Sequence, residues 1–172
     1  MNSDELPSDE FLVMLDQLKQ GFQNVVIDMP RFHTPFARAV LPQMQHIFLL
    51  LAFNIPSIRN ASMALSILSE LGIPKECITL VGTDFQSSAD LTRKDVVQHL
   101  KSEIHAQLPH VPEAILTSVN TGEALLLSEP NNPYSQSVSG MVTRLGNGSS
   151  AVSSTPSASP NLQQKLQGKG WF

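Results

Sequence analysis

The sequence has a single cysteine, Cys77, so it can form neither an internal disulfide nor a multi-cysteine zinc or iron–sulfur centre. Charge is also scarce. Ionisable Asp, Glu, Lys and Arg make up 15% of the chain and the net charge is −4. That composition excludes a highly charged disordered chain and leaves no broad cationic face for nucleic-acid phosphates. Long apolar runs are missing. The longest, from Ile47 to Phe53, has seven residues, where a membrane-spanning helix needs about 20. The start, Met1-Asn2-Ser3-Asp4-Glu5, lacks the cationic lead and apolar stretch of a signal peptide, so the expected location is cytoplasmic.

Several catalytic signatures are absent too. His33, His46, His99, His105 and His110 include no i, i+4 pair and no HExxH, so no helical zinc site is expected. No serine lies in a G-x-S-x-G elbow. No glycine-rich loop carrying lysine joins a strand to a helix. The only Gly-Lys pair, Gly168-Lys169, sits near the end of the chain with no strand before it.

What is present is a core-forming chain: 41% of its 172 residues are hydrophobic, enough for one domain. Ser8 with Asp9 and Glu10 reads as a helix start, and apolar residues from Phe11 to Leu18 recur at helical spacing before Gly21. Val25-Val26-Ile27 is a β-branched run without alternation, which predicts a buried parallel strand ending at Asp28 and Pro30. His33 to Gln43 predicts a short helix broken near Pro42, and Ile47 to Ala52 a second strand. Pro56 to Leu71 is the strongest helix, closed by Gly72 and Pro74. Ile78 to Val81 predicts a third strand leading to Gly82-Thr83-Asp84, followed by a polar loop over Gln86 to Asp90. Thr92 and Asp95 have capping-box spacing, Ile104 to Leu108 reads as a fourth strand, and Pro112 to Val119 as a helix. Asn132 and Pro133 begin a last helix that ends near Gly146.

Alternating strands and helices predict an α/β fold: a parallel sheet with helices on both faces. The domain is expected over residues 1–145. Residues 146–172, rich in Ser, Gly and Pro, read as a flexible tail. Its end carries Lys165, Lys169, Trp171 and Phe172, a set that suits either a plain tail or peripheral contact with a membrane or partner. Asp28, at the tip of the first predicted strand, either holds a magnesium ion through water or caps a turn.

The run from Val25 through Asp28-Met29-Pro30-Arg31 resembles the CpaE/TadZ pilus-assembly proteins, a branch of the MinD/ParA group of deviant P-loop ATPases. Their second aspartate motif is an apolar strand followed by Asp-Leu-Pro-Arg. Pro56-Ser57-Ile58-Arg59-Asn60-Ala61 is similar to the family's Ser-x-Arg-Asn-Ala helix start, and Leu91-Thr92-Arg93-Lys94-Asp95-Val96 to its Leu-x-x-Lys-Asp-Val segment. Thr34 to Leu41, Ala114 to Leu125 and Ser135 to Leu145 follow in family order.

The resemblance covers residues 10–145 and corresponds to the C-terminal half of the family's ATPase domain. It implies a partial P-loop NTPase fold lacking the Walker A strand, loop and helix. It further implies ATP and magnesium as cofactors, with Asp28 near the metal once a Walker A half is present. Pro30, Arg31, Thr83, Asp84, Pro109 and Pro112 would lie near the nucleotide. Thr83-Asp84 stands where relatives often carry Asn-Arg or Asn-Lys, and Val111 replaces the acid of their Pro-Asn-Asp-Pro turn. The implied role is a localisation factor for a Tad/Flp pilus and secretion machine at the cell pole or inner membrane face. Hydrolysis by this chain alone is not expected. The implied partners are pilus and secretion proteins, a second copy, or a missing N-terminal half. A non-enzymatic α/β module that docks on a partner chain is the alternative.

Overall fold

The computed structural model describes residues 8–29, 32–83 and 91–148. Its backbone divides after Ser139 into two compact units; among the described residues the second is represented by the end of the last helix. No described helix is long and apolar enough to cross a membrane.

Helix α1 (Ser8–Gly21) opens with Asp9 and Glu10, which complement its positive end, and carries Lys19 in its last turn. It buries Leu15 completely and sets Phe11 edge-on against Phe36, with ring centroids 4.8 Å apart. Phe36 lies on α2 (Pro35–Val40), which starts at Thr34. The Thr34 hydroxyl accepts the Ala37 N–H at 3.1 Å, and Pro35 occupies the first turn, where its missing N–H has no consequence. A short 3-10 turn, Leu41–Gln43, follows, so the expected break near Pro42 takes this form.

Three strands form one parallel sheet: β1 (Ile47–Ala52), β2 (Ile78–Thr83) and β3 (Ile104–Leu108), in that spatial order. β1 connects to β2 through α3 (Ile55–Glu70), and β2 to β3 through α4 (Arg93–Leu100). Parallel crossovers are right-handed, so two successive crossovers moving in one direction leave both helices on one face of the sheet. The core bears this out. Leu51, Leu80 and Ile104 from the strands pack with Phe53, with Ile58 and Ala61 of α3, and with Val96 and Leu100 of α4. A second cluster joins Ala37 of α2, Leu41, Leu68 of α3, Ile73 and Ile78.

Helix α3 ends as its glycine dictates. Gly72 adopts φ +72°, a left-handed conformation costly for other residues, and this turns the chain so that Ile73 N–H reaches Leu68 C=O and Gly72 N–H reaches Ser69 C=O, both at 3.0 Å. Helix α4 carries the expected capping box, with Thr92 and Asp95 bonded reciprocally. After β3 come α5 (Pro112–Thr121), α6 (Leu125–Ser128) and α7 (Pro133–Gly148). The Ser135 hydroxyl, 1% exposed, donates to Leu125 C=O and so ties α7 to α6.

The first strand expected from the sequence is not found. Residues 24–29 have irregular backbone, and Val26 is 93% exposed. A β-branched run becomes a parallel strand only beside a partner that takes its hydrogen bonds, with both faces covered. Among the described residues, Val25 to Ile27 pair with no strand. The parallel α/β sheet stands with three strands instead of four.

Candidate functional site

In an open parallel sheet, ligands are bound beyond the carboxyl ends of the strands, where the loops diverge. Here that edge is formed by the residues after Ala52, Thr83 and Leu108.

After β1 the chain turns through Phe53 and Asn54 into α3. The Asn54 side-chain oxygen accepts the Ser57 N–H at 2.9 Å, and the Ser57 hydroxyl accepts the Ala52 N–H at 2.8 Å. The two side chains lock the strand end to the helix start. They also satisfy groups that a phosphate would otherwise take at a helix N-terminus. Asn54 escaped the sequence reading, which began the helix at Pro56; the signal available was an Asn two residues ahead of a proline.

After β2, Thr83 is half-buried, and its hydroxyl donates to Leu51 C=O at 3.2 Å across the strands. Beside it, Gly82 is buried because the Phe53 ring lies on it: a Cβ there would meet two ring carbons at 3.0 Å. The glycine lets the loop after β1 fold down onto β2. After β3, Pro109 is half-buried and Pro112 is exposed at the first turn of α5.

Of the residues expected near a nucleotide, the fold therefore brings Thr83, Pro109 and Pro112 to one edge of the sheet. Asp28 is exposed on irregular backbone, and its neighbour Met29 packs against the cluster of Ala37, Leu41, Leu68, Ile73 and Ile78. Pro30, Arg31 and Asp84 lie outside the described residues.

A magnesium-nucleotide group does not fit the described residues as they stand. The Thr83 hydroxyl is committed to Leu51, and the N-terminus of α3 is capped from within. No three His, Cys, Asp or Glu side chains gather in a metal-holding group among the described residues.

The opposite end of the sheet holds a polar row that sequence spacing did not reveal. His46 Nε2 lies 2.8 Å from the Thr79 hydroxyl of β2, and its ring packs near Phe48. On β3, His105 is the extra residue of a bulge, since the register passes from Leu80↔Ile104 to Val81↔Ala106. Its Nδ1 accepts the Leu80 N–H at 3.3 Å. Burial, and then the neighbouring His105, hold His46 below the usual histidine pKa of 6.5.

Three solved structures share the arrangement. The ParA family ATPase of Chlorobium tepidum superposes with a TM-score of 0.73 at 14% identity, over 80% of this chain and 57% of that one. The fold is that of the MinD and ParA ATPases. MinD of Aquifex aeolicus gives a TM-score of 0.69 at 18% identity, over 88% of this chain and 63% of MinD. The same organism's MinC:MinD cell division complex gives 0.70 at 17%, over 91% and 64%. This chain thus spans about three fifths of the length of these MinD/ParA structures. No protein-family model matches the sequence, and no curated protein matches it.

Proposed function

We propose that this chain is a partial MinD/ParA-type protein that works as a localisation or assembly factor, of the kind the CpaE/TadZ resemblance indicates for Tad/Flp pilus machines, and that it does not hydrolyse ATP alone. One observation carries the second half of the reading. The edge of the sheet where a nucleotide would sit has its helix start and its threonine hydroxyl bonded internally. Asp28 would hold magnesium through water once a Walker A half of the fold is present. Pro30, Arg31, Asp84, Pro109 and Pro112 keep their assignment near the base or phosphates under the same condition.

Titration of the 172-residue chain with magnesium-ATP tests the catalytic half: no heat of tight binding and no phosphate release are expected. Low-micromolar binding overturns it. The cellular half is tested by imaging a fluorescent fusion in a Tad-piliated bacterium that encodes the chain. A polar or inner-membrane focus is expected, with loss of pili on deletion; diffuse signal with normal pili overturns it. The MinD neighbour in complex with MinC supports protein partners for chains of this fold in general. A docking module without nucleotide chemistry is the second reading, favoured by the apolar residues Phe48 and Leu50 that β1 leaves exposed.

A further inference from the structure

We propose that β3 has two available registers and that the His105 imidazole selects the bulged one, which draws the loop at residues 109–112 in toward the carboxyl edge of the sheet. The inference concerns the geometry of that edge and does not depend on which ligand it takes.

The sequence of β3, Ile-His-Ala-Gln-Leu, alternates apolar and polar residues without interruption. A regular strand with that pattern would set Ile104, Ala106 and Leu108 on one face, and His105 and Gln107 on the other. The pairing with β2 is different. Ile104 stands opposite Leu80 and Ala106 opposite Val81, with His105 left over between them. Residues opposite each other in a ladder share a face, and Leu80 and Val81, being consecutive, point to opposite faces. Ile104 therefore lies on the Leu80 face, while Ala106 and Leu108 lie on the Val81 face. Burial agrees. Ile104 belongs to the cluster of Leu80 with α3 and α4, and Leu108, 6% exposed, is buried outside that cluster.

Side chains fasten the backbone where the alternation breaks. Leu80 N–H donates to His105 Nδ1 at 3.3 Å, at the step where the register changes. An imidazole nitrogen thus accepts a strand N–H, so Nδ1 carries no proton. On the other side, the Arg93 guanidinium of α4 donates to Ile104 C=O, the carbonyl just ahead of the bulge. In the regular register His105 would stand opposite the fully buried Val81, and the polar ring would be drawn toward the interior. The alternating sequence favours the regular register; the Leu80 bond and the cost of burying the ring favour the bulged one.

The choice is felt at the carboxyl edge. In the bulged register Leu108 is level with Thr83. In the regular one Gln107 would be, and each later residue would stand one step, about 3.3 Å, further out. Pro109 and Pro112 belong to the loop that follows, at the edge where parallel sheets take ligands. His105 is a positioning residue for that loop: it touches nothing there and sets how far the loop reaches.

NMR of the full chain reads the register, as cross-strand contacts between β2 and β3. The natural chain is expected to show Val81 opposite Ala106. His105→Val removes the acceptor and supplies an apolar side chain that can lie beside Val81. It is expected to shift the strand, so that Val81 meets residue 105 and Thr83 meets Gln107. His105→Asn restores the bulge, because the Asn side-chain oxygen stands where Nδ1 stands and accepts the same N–H. Its Leu80 amide is expected to exchange within about threefold of the natural rate, and that of His105→Ala at least about tenfold faster. Deleting His105 removes the extra residue and is expected to leave Val81 opposite Ala106 and Thr83 opposite Leu108. Because the valine variant can fail to fold, nitrogen shifts of the His105 ring in the natural chain give a second test: a bare Nδ1 with the proton on Nε2 is expected. A proton on Nδ1, a valine variant that folds with Val81 still opposite Ala106, an asparagine variant in the regular register, equal Leu80 exchange in the Ala and Asn variants, or a deletion variant whose Thr83 no longer meets Leu108 each overturns the proposal.

Discussion

The two edges of the sheet are built from the same kind of parallel strand and end in different states. β3 is guarded: its bulge turns His105 into the ladder, Arg93 reaches back from α4 to Ile104 C=O, and His105 and Gln107 present polar side chains. β1 is bare: Phe48 and Leu50 are exposed in the middle of an apolar strand. A strand with the composition of a sheet centre stands at a sheet edge.

Adjacent residues of β1 give the largest test of that contrast. Leu51 is 2% exposed against the helices, and Leu50 is 56% exposed on the other face. Leu51→Ala is expected to cost about 2–5 kcal/mol, because truncation leaves a cavity between β1, α3 and α4. Leu50→Ala is expected to change monomer stability by less than about 0.5 kcal/mol. Urea unfolding of dilute samples measures both. Equal losses would show that the outer face of β1 is covered in solution.

Gly82→Ala probes the carboxyl end of the sheet. The new methyl would press on the Phe53 ring at 3.0 Å, and that ring is buried in the main cluster. A loss of about 1–3 kcal/mol is expected, read by thermal or urea unfolding. If Gly82→Ala is tolerated, the loop after β1 can lift from β2 and the ligand edge is more open than it stands here.

Much of this fold was legible in the chain. β1 and β3 follow the expected bounds, because β1 is a short apolar run and β3 alternates buried Ile104 and Leu108 with polar residues, each set off by turn residues or a helix cap. The Thr92–Asp95 box and the Asn132 and Gly72 boundaries rest on local chemistry that needs no distant partner. Val25-Val26-Ile27 failed for the opposite reason. Its composition is that of a strand, and strand formation depends on a neighbour that sequence cannot supply. The candidate site was half legible: Thr83, Pro109 and Pro112 follow strand ends, so placing the strands placed them. Asp28 stands on the same irregular stretch, where no strand is assigned. His105 was illegible because a bulge is a mismatch between two strands and leaves no periodic mark on either.

Thr92→Ala tests what supports the guarded edge. Removing the cap frees the first turn of α4, the turn that carries Arg93 to β3, and a loss of about 1 kcal/mol is expected with faster exchange of α4 amides. The Asp95 carboxyl is held below its ordinary value by its bonds from the Thr92 side chain and backbone. Its contribution is therefore present above the unfolded carboxylate value of 3.8 and is lost as pH falls through the lower folded one. Thr92→Ala should flatten that acid limb of the stability profile.

The smallest effect separates the two edges by pH. His46 leads into β1 and touches Thr79, with His105 of β3 close enough to oppose its charge. Its folded pKa lies below 6.5, so the unfolded chain takes up the proton first. Stability is then full above that value and falls as pH drops from it through the folded value. A modest decline in melting temperature is expected between neutral pH and about pH 5.5. His46→Gln should remove that decline. In the otherwise unaltered chain, His105→Gln should shift the His46 titration, followed by NMR, upward toward 6.5 while leaving it below, since burial is the larger cause. A His46 titration indifferent to His105→Gln would mean that the guarded strand and the bare one do not sense each other across β2.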